Sequence, residues 1–136
     1  MNKIFNIPKK IILISLLFFS CINSSYATWD QIGLSERGTY VAINKDSISK
    51  NGNIVNYWVL YSHENAIQGT SVLSLKNNKE INCTTKKLRI IYEVQYEGSY
   101  GSGTPLATIN ADEKTWSPIV PDSMAEAEFK YICKKK

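Results

Sequence analysis

The residues best suited to chemistry in this chain are few. His63 is the lone histidine among 136 residues, and Glu64 follows it directly. A His–carboxylate pair is a general acid/base arrangement, but neighbours on an extended chain point to opposite sides. A surface histidine at a strand end is therefore the ordinary reading. One histidine also excludes a multi-histidine metal centre and a His–His proton relay. The sequence contains no G-x-S-x-G elbow, Walker loop or H-E-x-x-H motif. Gly98-Ser-Tyr-Gly-Ser-Gly103 is glycine-rich, yet it lacks the lysine and helix start that a phosphate cradle needs. It reads as a mobile loop. Cys83 and Cys133 have no C-x-x-C spacing and no neighbouring histidine, which argues against redox catalysis. A non-catalytic protein is expected, with no cofactor and no metal.

Binding is the better-supported chemistry. Lys86, Lys87 and Arg89 are the densest internal basic cluster. They would suit an acidic protein surface, a glycan or a lipid headgroup. As part of a strand they would equally form a solvated face with Glu93 and Glu97. Trp29, Trp58 and Trp116 would make a binding platform if they converged, although single tryptophans more often fill cores. Lys134, Lys135 and Lys136 suit the negative end of a helix before any anion contact.

The chain's charge depends on its first 27 residues. The whole sequence carries 16 basic and 12 acidic residues, a net +4. Lys3, Lys9 and Lys10 precede an apolar run from Ile11 to Phe19, too short for the roughly 20 residues of a membrane span. Ser25-Tyr26-Ala27 puts small residues at −3 and −1 of a cleavage point before Thr28. These three regions, in this order, read as a signal peptide over residues 1–27. An uncleaved amphipathic helix is the alternative. Cys21 offers a lipoprotein exit, the one route to membrane association. Phe18 and Phe19 make a poor lipobox, so cleavage after Ala27 is preferred. Removing the leader takes three lysines and no acid, leaving a net +1. Nucleic-acid binding then has little support. The cysteines become a pair, Cys83 and Cys133. In an oxidising compartment they are expected to form one disulfide rather than two thiols.

The single domain expected over residues 28–136 must position these groups. Tyr40-Val41-Ala42-Ile43 is β-prone, and Asn51-Gly52 is a turn signal. Ile54 to Ser62 has two largely apolar faces, as in a central strand covered on both sides. Val72–Lys76 and Lys79–Thr85 flank Asn77-Asn78 as a hairpin would. Leu88, Ile90, Tyr92, Val94 and Tyr96 alternate with polar residues as a half-buried strand, Ile91 being the apolar exception. Ile81 and Cys83 have the opposite parity, which calls for a bulge between Thr84 and Lys87. Leu106–Ile109 is a last short strand. Ser123 and Glu126 fit a capping box. Ala125, Phe129, Ile132 and Cys133 then share one helical face. The expectation is an α+β domain: an antiparallel sheet of about six strands with one C-terminal helix packed on it and a disulfide staple.

The order of features resembles the bacterial surface-adhesin protein E family. Trp29 stands at the start, followed by Tyr40-Val41-Ala42-Ile43, Asp46-Ser47-Ile48 and Asn53-Ile54-Val55 leading to Trp58. Ser71-Val72 precedes Cys83, with Lys87 and Arg89 after it. Gly101-x-Gly103 follows Tyr96, and Trp116-Ser-Pro-Ile-Val-Pro-Asp-Ser123 stands ten residues before Cys133. The resemblance spans nearly the whole mature chain. It implies a sheet with a helix packed on it, in an exported or envelope-attached protein without an enzyme site, and a best-known member that binds host extracellular-matrix proteins. The poor lipobox departs from surface display. An exported adhesin-like protein is expected, with a soluble periplasmic envelope-accessory protein as the alternative. A protein partner is expected in either case. An exposed edge strand would support a homodimer.

Overall fold

The computed structural model describes residues 28–111 and 115–134. The expected leader, Cys21 and the last two lysines lie outside them. Seven strands run in chain order: β1 (Trp29–Leu34), β2 (Tyr40–Asn51), β3 (Ile54–Ser62), β4 (Ser74–Asn82), β5 (Lys87–Tyr96), β6 (Pro105–Asn110) and β7 (Ser117–Pro118). Helix α1 (Met124–Lys134) closes the domain. Strands β1 to β6 form an antiparallel meander in sequence order, and β7 pairs with β5 beyond the end of β6. The α+β architecture is the one expected, and so is the Cys83–Cys133 disulfide, with Cα atoms 5.6 Å apart.

Strand parity determines which side chains meet the helix, because cross-strand partners share a face. Val41, Ile43, Tyr57, Val59 and Ile81 project from β2, β3 and β4 to one side. Phe129 of α1 seals them, with Met124, Ile132 and Cys133 packed around it. The helix start differs slightly from a standard capping box. Ser123 Oγ accepts from the Glu126 N–H, but Glu126 Oε2 reaches past Ser123 to the Asp122 N–H at 3.0 Å. That backbone donor, and then Lys130, holds the Glu126 carboxyl below its ordinary range.

Three local expectations are corrected. Asn77-Asn78 is not a turn: β4 runs through it, paired with β3 on one side and β5 on the other. The Asn78 amide is used across strands, exchanging hydrogen bonds with Asn56 at 2.9 and 3.0 Å. The bulge does not fall between Thr84 and Lys87. Those residues form a tight turn in which Asn82 Oδ1 accepts from the Thr84 and Thr85 N–H groups, and Ile81 pairs directly with Leu88. The extra residue is Ile91: Lys79 pairs with Ile90 and Asn78 with Tyr92. The bulge splits the even-numbered set of β5 between faces. Leu88 and Ile90 stay on the helix side, while Tyr92, Val94 and Tyr96 turn to the other. Finally, β1 supplies an edge strand that the sequence pattern does not announce, so the six-strand meander comprises β1 and one long β4 instead of two short strands.

Candidate binding face

On the helix side, the least expected group is Glu128. It is fully buried on α1, and its carboxylate faces Tyr57, Tyr61 and Lys79. The Tyr57 hydroxyl donates to Oε2 at 2.5 Å, Tyr61 donates to Oε1, and Lys79 Nζ lies 3.1 and 3.2 Å from the two oxygens. Lys79 Nζ also donates to the Tyr61 hydroxyl at 2.5 Å. Burial, and then the Glu128 carboxylate, pushes both phenols well above the ordinary tyrosine range. The cluster is closed on itself and lies under the helix, so it positions α1 and offers nothing to a ligand.

Among the described residues, the opposite face carries no α-helix. One row of cross-strand partners traverses all six strands of the meander: Trp29, Asn44, Trp58, Asn78, Tyr92 and Asn110. Aromatic and carboxamide side chains alternate along it, and every member reaches solvent. Trp58 and Tyr92 lean together over Asn78, ring centroids 6.0 Å apart and nearly perpendicular. Trp29 leans over buried Ala42 and Leu60 toward Lys76, whose Nζ lies 6.0 Å from the Trp29 ring and 5.0 Å from that of Tyr96.

The glycine-rich segment is docked against one end of this face. Ser99–Gly101 forms a single 3₁₀ turn. Ser74 Oγ donates to the Gly98 carbonyl at 2.5 Å and accepts from the Gly101 N–H at 2.8 Å. Gly101 has φ +69°, and a Cβ there would collide with the Lys76 side chain. Its two constraints explain why glycine stands at this position.

The predicted cluster of basic residues is divided. Lys87 and Arg89 project onto the open face. Arg89 donates to Glu80 Oε2 through Nε at 2.7 Å and contacts the same oxygen through Nη2 at 2.6 Å, while its guanidinium stacks 4.5 Å from the Trp116 ring. Lys86 instead occupies the β4–β5 turn with φ +52° and lines a cleft beside α1 with Ile119, Pro121 and Phe129. All three tryptophans belong to the open face, none to the helix-side core; the core-filling reading is corrected. The register of β1, β2 and β3 places Trp29 and Trp58 there, and the pairing of β7 with β5 places Trp116 beside Arg89. His63 lies at the same end as the glycine-rich turn, with Nδ1 3.1 Å from Thr39 Oγ1. Among the described residues it shares no hydrogen bond with Glu64, which stands against Gly38. A cleft of about 560 Å³ opens there between Tyr40, His63 and Tyr100.

The domain is a disulfide-stapled antiparallel sheet, helix-backed on one side and aromatic on the other. The chain belongs to the surface-adhesin protein E family, whose model matches residues 29–134. The fold agrees. A structure of Haemophilus influenzae protein E superposes with a TM-score of 0.58 at 14% identity, covering 80% of this chain and 86% of that one. Protein E from non-typeable Haemophilus influenzae gives 0.55 at 17% identity, covering 82% and 79%. A comparison with curated proteins returned no match. Family membership makes this an exported surface-adhesin-type protein rather than a member of an enzyme family. No helix among the described residues is long and apolar enough to cross a membrane.

Proposed function

We propose that this protein is a non-catalytic, exported adhesin that contacts host extracellular-matrix proteins through the helix-free face of its sheet. Its leader ends at Ala27, and the mature chain starts at Thr28. The observation carrying this reading is the convergence of Trp29, Trp58 and Trp116 with Lys87 and Arg89 on one solvent-reaching face. Buried aromatic and arginine anchors dominate protein recognition energetically, so such a face is costly to leave exposed without use.

The test is solid-phase binding of the mature protein to purified matrix proteins. A Lys87→Glu/Trp116→Ala variant should bind more weakly than wild type, and a Lys130→Glu variant on the exposed side of α1 should bind as wild type does. Equal binding by all three would discard the face. Protease shaving of intact cells separates the adhesin from a periplasmic accessory protein: cleavage of the protein on whole cells is expected, and full protection would favour the periplasmic role. The intact mass of the exported protein tests the Thr28 start and acylation at Cys21 together.

A further inference from the structure

We infer that the open face recognises an acidic polysaccharide, of the sulfated, uronate-bearing kind that decorates extracellular-matrix proteins; this rests on reading that face as the binding surface. The first observation is the alternation along the row Trp29, Asn44, Trp58, Asn78, Tyr92, Asn110. Sugar rings present C–H faces that stack on aromatic rings and hydroxyls that pair with carboxamides. The row presents the rings of Trp29, Trp58 and Tyr92 in turn, with the Asn44 and Asn110 carboxamides beside them; the Asn78 amide is held by Asn56 beneath the Trp58–Tyr92 pair.

The second observation is spacing. Trp29 and Trp58 stand two strands apart, about 9–10 Å at the backbone, comparable to the length of a disaccharide. Trp58 and Tyr92 meet edge to face as one aromatic pair, and Trp116 sets another ring about two residues along the strands. A linear chain lying across the strands meets aromatic side chains at intervals.

The third observation is charge. Within the paired rows, the charged side chains of this face are Lys76, Glu80, Lys87 and Arg89; outside those rows Asp46, next to Asn44, accepts from the Thr28 N–H. Glu80 is taken by Arg89, so the face is net cationic although the mature chain is near neutral. Lys87 is exposed at the margin, beside Arg89 and Trp116. Sulfates and carboxylates beside a stacked sugar would meet these cations, and like-charged polyanion chains would find no free carboxylate opposing them in those rows.

The experiment is titration of the mature protein with heparin, with dextran sulfate as the charge-matched comparison and purified matrix proteins as a third ligand. Wild type, Trp116→Ala, Trp58→Phe and Lys87→Glu are each checked for folding by circular dichroism. Heparin should bind, and Trp116→Ala should weaken it roughly three- to ten-fold, the size of one aromatic contact. Lys87→Glu should weaken it further as salt falls, whereas Trp58→Phe should keep most of the affinity. Dextran sulfate, whose sugar geometry differs, should respond to Lys87→Glu but little to the tryptophan variant. If both polyanions bind alike and ignore Trp116→Ala, binding is charge attraction only and the inference is overturned. If matrix proteins bind, respond to Trp116→Ala and heparin does not bind, the polysaccharide is excluded while the adhesin reading stands. If neither binds, both fail.

Discussion

Replacing Glu128 by alanine removes the acceptor on which the helix-side cluster is centred. The variant leaves the Lys79 ammonium, only 7% exposed, without its counter-charge, and leaves the Tyr57 and Tyr61 hydroxyls without their acceptor. Breaking a buried pair from one side costs about 3–5 kcal/mol, chiefly because the remaining charge is stranded. For a domain of this size each kcal/mol lowers the melting temperature by about 4–5 °C, so the transition should fall by roughly 12–25 °C. The pair itself is no large net stabiliser, since desolvation of both charges offsets much of their attraction. A Lys79→Met/Glu128→Leu double variant should therefore recover roughly half of the loss or more. Urea and thermal unfolding, with the disulfide intact, provide both numbers. A Glu128→Ala variant within about 1 kcal/mol of wild type would refute the reasoning, because the carboxylate would then be solvated rather than built into the helix–sheet interface. So would a double variant less stable than the single.

Gly101→Ala should destabilise the domain by about 1–3 kcal/mol, from a left-handed backbone that alanine resists and from displacement of Lys76; urea midpoints with unchanged slope would register it. Cys83→Ser/Cys133→Ser should cost on the order of 4 kcal/mol through the freed loop, and reduction of the native protein should add two hydrogens to its mass. The raised phenol pKa values make folding sensitive to alkali. Unfolded tyrosine loses its proton near about 10 and the folded Tyr57 and Tyr61 only above that, so the folded state holds more protons beyond it. Stability should be intact below that pH and fall as pH rises through it. A Tyr57→Phe/Tyr61→Phe variant should lose part of that slope.

Much of this molecule was legible because period and punctuation agreed. Asn51-Gly52 marked the β2–β3 turn, Ser123 and Glu126 the helix start, and Phe129, Ile132 and Cys133 the helix face. Cysteine pairing follows from the expected removal of a leader and an expected oxidising compartment. What misled was local resemblance between unlike features. Asn77-Asn78 has turn chemistry, but β4 has neighbours on both sides and a use for the Asn78 amide against Asn56. Ile91 looked like a stray apolar residue on an outer face, whereas it is the bulge that sends Leu88 to the core and Tyr92 to the open face. The open aromatic face is not legible in the sequence because its members come from separate segments, and only strand register brings Trp29, Trp58 and Trp116 to one side. Glu128 was unreadable because its partners lie 49 to 71 residues away.

Contact of matrix protein with the helix-free face can be followed residue by residue. Its most direct measurement is nuclear magnetic resonance of the mature protein, following the three tryptophan indole N–H signals and the Asn44 and Asn78 side-chain amides as purified matrix protein is added. These signals should shift or broaden together while the amides of α1, from Met124 to Lys134, hold still. Perturbation confined to α1 and the Lys86 turn, with the indoles unmoved, would contradict it.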